Sequence, residues 1–191
     1  VYDRLSYDSN LAGAFLRHTT MSNRQRQSLI EDKFLFRGKD KMQAASGYHT
    51  HWPEGRGVFH NKSKTFVNWL NEGDHLRIIS MEQGGDVLNV FTRLSEGAKM
   101  IEEGIKKETG EADAFMMHPI FGSLTCCPSN IGTGLRGSVM IKLPELNKNI
   151  DLLDVQLGVV LQPVGFGAAA GVSVSANAHG AQLTIQHGGV H

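Results

Sequence analysis

The sequence predicts an α+β fold, with a large antiparallel β-sheet flanked by helices. Three observations carry that expectation. Two apolar, β-branched and aromatic runs, 64–70 and 75–81, flank the turn residues Asn71-Glu72-Gly73-Asp74, a hairpin signature. One long amphipathic stretch, 86–107, has helical periodicity. Repeated strand–helix–strand alternation, the mark of a parallel sheet, is scarce.

In chain order, residues 1–20 are polar and without firm periodicity, and read as an arm or linker. Ser22 with Gln25 three residues on forms a capping box, so a short helix is expected to about Asp32 with Leu29 and Ile30 inward and Phe34-Leu35-Phe36 anchoring its end. Residues 37–55 read as a loop, and 56–59 as a further strand before the hairpin. Gln83-Gly84-Gly85 breaks the chain. In the long helix, Val87, Phe91, Leu94, Ala98, Ile101 and Ile105 draw one apolar stripe, with Glu102, Glu103, Lys106 and Lys107 on the wet face. Residues 109–119 connect to a short run ending at Cys126, and 139–143 is the next strand. Pro144 and Glu145 open a brief helix toward Asp154, followed by strands over 155–160 and 172–175 around a Gly/Ala loop, 165–171. After Asn149 only Asp151 and Asp154 carry formal charge. So uncharged an end is expected to dock in the sheet or against a partner, which includes a second copy of the chain.

Composition excludes several classes. The 191 residues suffice for one domain with a real core. Nineteen basic and nineteen acidic residues cancel, giving no footprint for nucleic acid. No apolar run approaches the ~20 residues of a membrane span, and no targeting pattern opens the chain. Two adjacent cysteines cannot staple a fold, so an intracellular, cytoplasmic setting is expected. The nine histidines are scattered; His49 and His51 come nearest to metal spacing, and they read as a solvated loop.

The stretch 124–137 reads Leu-Thr-Cys-Cys-Pro-Ser-Asn-Ile-Gly-Thr-Gly-Leu-Arg-Gly. A cysteine, a hydroxyl, a glycine loop and an arginine within ten residues suit anion handling. Bare backbone N–H groups can face an oxyanion, and an arginine adds a planar fork. Read from the residues alone, a structural glycine loop between strands fits equally.

That stretch resembles the signature of the phosphagen kinases, the creatine and arginine kinase family. A second block, Gly57-Val-Phe-His-Asn61 through Trp69-Leu-Asn-Glu-Gly-Asp-His-Leu-Arg-Ile-Ile-Ser-Met-Glu-Gln-Gly-Gly85, resembles it equally, in the same order and spacing. The likeness is high over 29–143, weak after Leu146 and absent before Met21. It implies the catalytic domain of an ATP:guanidino phosphotransferase, with ATP or ADP and magnesium as cofactors and a guanidine as substrate. Residues 21–191 would then be a partial catalytic domain, lacking the family's N-terminal helical domain and final helix.

By the resemblance, Arg77 and Arg136 match phosphate-clamping arginines, and Cys127 matches the reactive cysteine beside the guanidine site. Cys126 reads as a small buried hydrophobe. The family carries two adjacent glutamates in the hairpin turn, the second being catalytic. Here the pair is Glu72-Gly73, so Glu72 stands at the lesser position, where it reads as a solvated turn carboxylate, and Gly73 has no side chain. Other family positions are also changed: Lys33 and Met140 replace nucleotide-contacting histidines, Val164 replaces a late arginine, Val174 aligns with an aspartate, and the mobile loop is reduced to 167–171. A lost general base costs about 10²–10⁴ in rate, and a lost charge stabiliser about 10²–10³. Two functions therefore follow: an impaired kinase-like domain serving as a structural or binding module in a larger assembly, or an active phosphotransferase using Glu72, Arg77, Cys127 and Arg136.

Overall fold

The computed structural model describes residues 1–36, 44–45, 47–126, 128–141, 171–176 and 182–188, those from 138 onward as backbone. Strands β1 (Gly13–Arg17), β2 (Gly57–Asn61), β3 (Phe66–Leu70) and β4 (Leu76–Gln83) form an antiparallel meander. Strand β9 (Gln182–Gly188) pairs antiparallel with β4 and with β7 (Leu135–Ile141). The order is β1-β2-β3-β4-β9-β7-β8, a seven-stranded sheet. The expected antiparallel sheet is found, with one parallel pair among its described strands at the far edge, where β8 (Gly171–Ala176) runs alongside β7. Two-residue strands β5 (Met117–His118) and β6 (Gly122–Ser123) make a separate hairpin.

Two described helices accompany the sheet. Helix α1 (Asn23–Glu31) begins at the expected capping box, with Ser22 and Gln25 each hydrogen-bonded to the other's backbone N–H. Leu29, Phe34 and Phe36 are buried. Helix α2 (Val87–Thr109) is capped by the Asp86 side chain and ends at Gly110 in the left-handed conformation. Its buried stripe is Val90, Leu94, Gly97, Ile101 and Gly104. Of the expected stripe, Leu94 and Ile101 are buried and Ala98 and Ile105 pack partly buried against the core, but Val87 and Phe91, in the first turns, are 52% and 45% exposed. At Gly97 the helix meets the sheet so closely that a Cβ would lie 2.2 Å from Phe66 Cζ.

Alternation along the strands separates two cores. On the α2 side, Phe59, Phe66, Leu76 and Ile78 pack with Val90, Leu94 and Ile101. On the other, Val58, Val67 and Ile79 pack with Leu29, Phe34, Phe36 and Tyr48, bordered by Trp52 and Trp69. The N-terminal residues expected as an arm are packed: a 3-10 turn over Tyr2–Tyr7 and the edge strand β1 bury Leu5 and Leu11 in the first core. The elements expected over 144–160 and the loop over 165–170 lie outside the described residues. The uncharged end does place β8 and β9 in the sheet.

Candidate functional site

The turn from Asn71 to His75 is fixed at three points. Asn71 adopts positive φ (53°), a conformation asparagine tolerates, and its N–H donates to the His75 carbonyl at 2.8 Å. Its side-chain amide donates to the Gly55 carbonyl at 2.8 Å. Asp74, 3% exposed, accepts from Asn130 Nδ2 at 2.6 Å. Asn130 closes the short 3-10 turn Pro128–Asn130 that opens the glycine loop. A charge-assisted hydrogen bond thus links the two sequence blocks, 56 residues apart at this contact.

The loop itself lies close against β6. Ser123 and Gly132 exchange backbone hydrogen bonds of 2.6 and 3.2 Å, with Gly132 and Gly134 at φ 124° and 61°, where a side chain would be strained. Strand β7 then begins, and Arg136 is exposed at its start. Ile79 is opposite Gln186, and Gln186 is opposite Arg136, so register puts Arg136 on the sheet face that carries Ile79 and Arg77. Both predicted phosphate-facing arginines share the face away from α2.

Arg77 is not open on that face. It is opposite Trp69 across the β3–β4 ladder, with its guanidinium carbon 5.4 Å from the Trp69 ring centroid. Glu72 reaches it from the turn, with Oε2 3.7 Å from Arg77 Nη2. The two side chains are 14% and 28% exposed, so this ion pair is largely sheltered. The expectation of a solvated Glu72 is corrected: the tight turn folds its carboxylate back over the strand that follows. Gly73, half-buried beside it, brings no side chain.

Trp69 continues into an aromatic wall absent from the sequence reading. Trp69 is 5.6 Å from Phe36, Phe36 stacks on His18 at 4.6 Å, and Trp52 meets His18 edge-on at 5.3 Å. Arg56 lies 4.5 Å over Tyr48 and donates to the carbonyls of Tyr48 and Glu54. His18 is 3% exposed, and neither ring nitrogen has a hydrogen-bond partner among the described residues. Burial, then the positive charges of Arg26 and Arg56, lower its pKa from 6.5 to about 4. Burial raises that of Tyr48, against a weaker opposing effect of Arg56. A histidine in a polar run gives no sequence signal for such a place.

Among the other named residues, Lys33 is exposed in a left-handed turn after α1. Cys126 is exposed, not the buried hydrophobe expected; it lies at a bend beyond the end of β6 at Ser123. Cys127 and Val164 lie outside the described residues, and at Met140 and Val174 only the strand backbone is described. No group of three metal-ligating side chains occurs among the described residues, nor any helix long and apolar enough to cross a membrane. A cavity of about 490 Å³ lies away from Arg77, lined by Asn10, Lys62, Thr65, Asn89 and Arg93 among others.

Residues 2–168 match the family model described as ATP:guanido phosphotransferase, C-terminal catalytic domain, which corrects the expectation of no likeness before Met21. The chain is 44% identical over 153 residues to an arginine kinase of Penaeus japonicus, covering 80% of this chain and 41% of that protein. It is 42% identical over 163 residues to the B-type creatine kinase of Gallus gallus, covering 85% of this chain and 42% of that one. A crystal structure of lombricine kinase superposes with a TM-score of 0.71 at 32% identity, over all of this chain and 52% of that one. The chain thus spans about two fifths of the length of each of these two relatives.

Proposed function

This chain belongs to the ATP:guanido phosphotransferase family, and from that premise we propose that it is a kinase-type catalytic domain in which phosphoryl transfer is impaired, serving as a structural or binding module in a larger assembly. One observation carries the reading. In the turn where the family pattern places two carboxylates, Gly73 supplies none and Glu72 is drawn into an ion pair with Arg77. Transfer from ATP to a guanidine depends on positioning and charge neutralisation, with a carboxylate to orient the guanidinium and take its proton. A carboxylate engaged with the protein's own guanidinium is poorly placed for either task.

The phosphate-facing half of the site fits a nucleotide better. Arg77 and Arg136 share a face beside the glycine loop, a donor set suited to phosphate oxygens. With no trio of ligating side chains among the described residues, magnesium would come coordinated to the nucleotide, as it commonly does. Bound there, ATP would supply the transferable phosphoryl group, while Arg77 and Arg136 held its charge. The guanidine substrate is the class shared by the relatives' names, arginine and creatine among them. An exposed Cys126 outside any disulfide fits an intracellular setting.

The test is a coupled assay of the folded protein with ATP, magnesium and a panel of arginine, creatine and taurocyamine. Turnover near background is expected. Robust synthesis of any phosphoguanidine would make the active phosphotransferase the correct reading instead.

A further inference from the structure

We propose that Glu72 is a built-in competitor for Arg77: its carboxylate holds the guanidinium that a ligand phosphate needs, and so sets how weakly this face binds anions. This rests on the reading of Arg77 and Arg136 as a phosphate-facing pair.

Three features of the geometry lead there. The Arg77 guanidinium is held on one side by the Trp69 ring and approached by Glu72, so its fork is oriented before any ligand arrives. The carboxylate cannot drift off with a mobile turn, because Asn71 is tied to Gly55 and His75, and Asp74 to Asn130. Both charged side chains are mostly covered, so water and salt screen the pair less than at an open surface. A phosphate approaching Arg77 therefore meets a like charge at the place it must occupy. At 3.7 Å the contact is longer than the 2.7–2.9 Å of a tight charge-assisted hydrogen bond, so a strong anion can displace it. The outcome is attenuation of anion binding, which removal of one charge relieves.

Isothermal titration with inorganic pyrophosphate at low ionic strength tests this on the whole chain, comparing wild type, Glu72→Gln, Arg77→Gln and the double variant. Glu72→Gln keeps the shape and removes the charge; it is expected to tighten pyrophosphate binding by about tenfold or more. In the double variant that gain is expected to vanish. Glu72→Ala replaces Glu72→Gln if the latter fails to fold, judged by circular dichroism and melting. Unchanged affinity in a folded Glu72 variant, or a gain that survives Arg77→Gln, overturns the proposal. Turnover in the coupled assay would overturn the impaired-kinase reading by itself, so the two failures are told apart.

Discussion

Asn130 donates a 2.6 Å hydrogen bond to the buried Asp74 carboxylate, pinning the glycine loop to the β3–β4 turn. The contact joins two segments 56 residues apart in the chain, and it positions the loop that leads into Arg136. Asp74→Ala is expected to cost about 1.5–3 kcal/mol, the usual range for a hydrogen bond to a charged group. Hydrogen exchange at 131–134 should speed up more than in the α2 core. Uniform loss of protection across the domain would mean that Asp74 supports the fold generally and does not anchor the loop.

Asn68 is the opposite case, a polar side chain whose burial has no compensation among the described residues. It sits at the centre of β3, fully buried, opposite Phe59 and Ile78, and neither amide atom has a hydrogen-bond partner. Leaving such a group unpaired in an apolar core costs about 1–3 kcal/mol. Asn68→Val is therefore expected to stabilise the protein by a similar amount, read as a higher urea midpoint with unchanged slope. A lower midpoint would show that the amide has a partner that matters.

These two residues show what was legible in the sequence. Periodicity and capping located both helices and the β2–β4 meander to within a few residues, because those signals are local. The resemblance paired the turn with the glycine loop; periodicity alone gave no reason for Asp74 to meet Asn130. The misplaced α2 stripe has a physical cause: two of its five buried positions, Gly97 and Gly104, have no side chain to register as apolar. Strand β1 escaped because it is an edge strand with mixed exposure, so it lacks clean alternation. The aromatic wall escaped because His18 and Trp52 lie in polar runs whose burial is decided by distant strands.

Gly97 gives a sign test of packing against propensity. Alanine at a helix interior is worth about 1 kcal/mol over glycine. Here its Cβ would be driven into the Phe66 ring, which is itself fully buried. Overpacking of this kind costs about 1–3 kcal/mol, so Gly97→Ala is expected to lower the thermal midpoint. Combining it with Phe66→Leu should recover part of the loss. Stabilisation by the single substitution would mean that the helix can lift from the sheet without penalty.

His18 should leave a mark on acid stability. Its pKa falls from 6.5 in the unfolded chain to about 4 in the fold, so between those values the unfolded state binds more protons. Stability linked to this group is complete above about pH 6.5, declines as pH falls, and stops changing below about pH 4. The shift is worth at most about 3 kcal/mol. His18→Phe keeps the stacking on Phe36 and removes the titration. Urea midpoints measured from pH 7 to 4 should then fall less steeply than in wild type, and parallel curves would refute the assignment.

The catalytic deficit can be probed by addition as well as by loss. Gly73 lies between Glu72, paired with Arg77, and Asp74, anchored to Asn130. A carboxylate placed there projects from a turn whose flanks are held by those two contacts. A general base is worth about 10²–10⁴ in rate when fully placed. Gly73→Glu restores only that group, and other family positions, Lys33 among them, stay changed. The expected gain is therefore smaller, about tenfold over wild type in phosphoguanidine synthesis, without a matching change in nucleotide KM. A gain confined to KM would assign residue 73 to binding, and no gain in a folded variant would place the deficit elsewhere in the site.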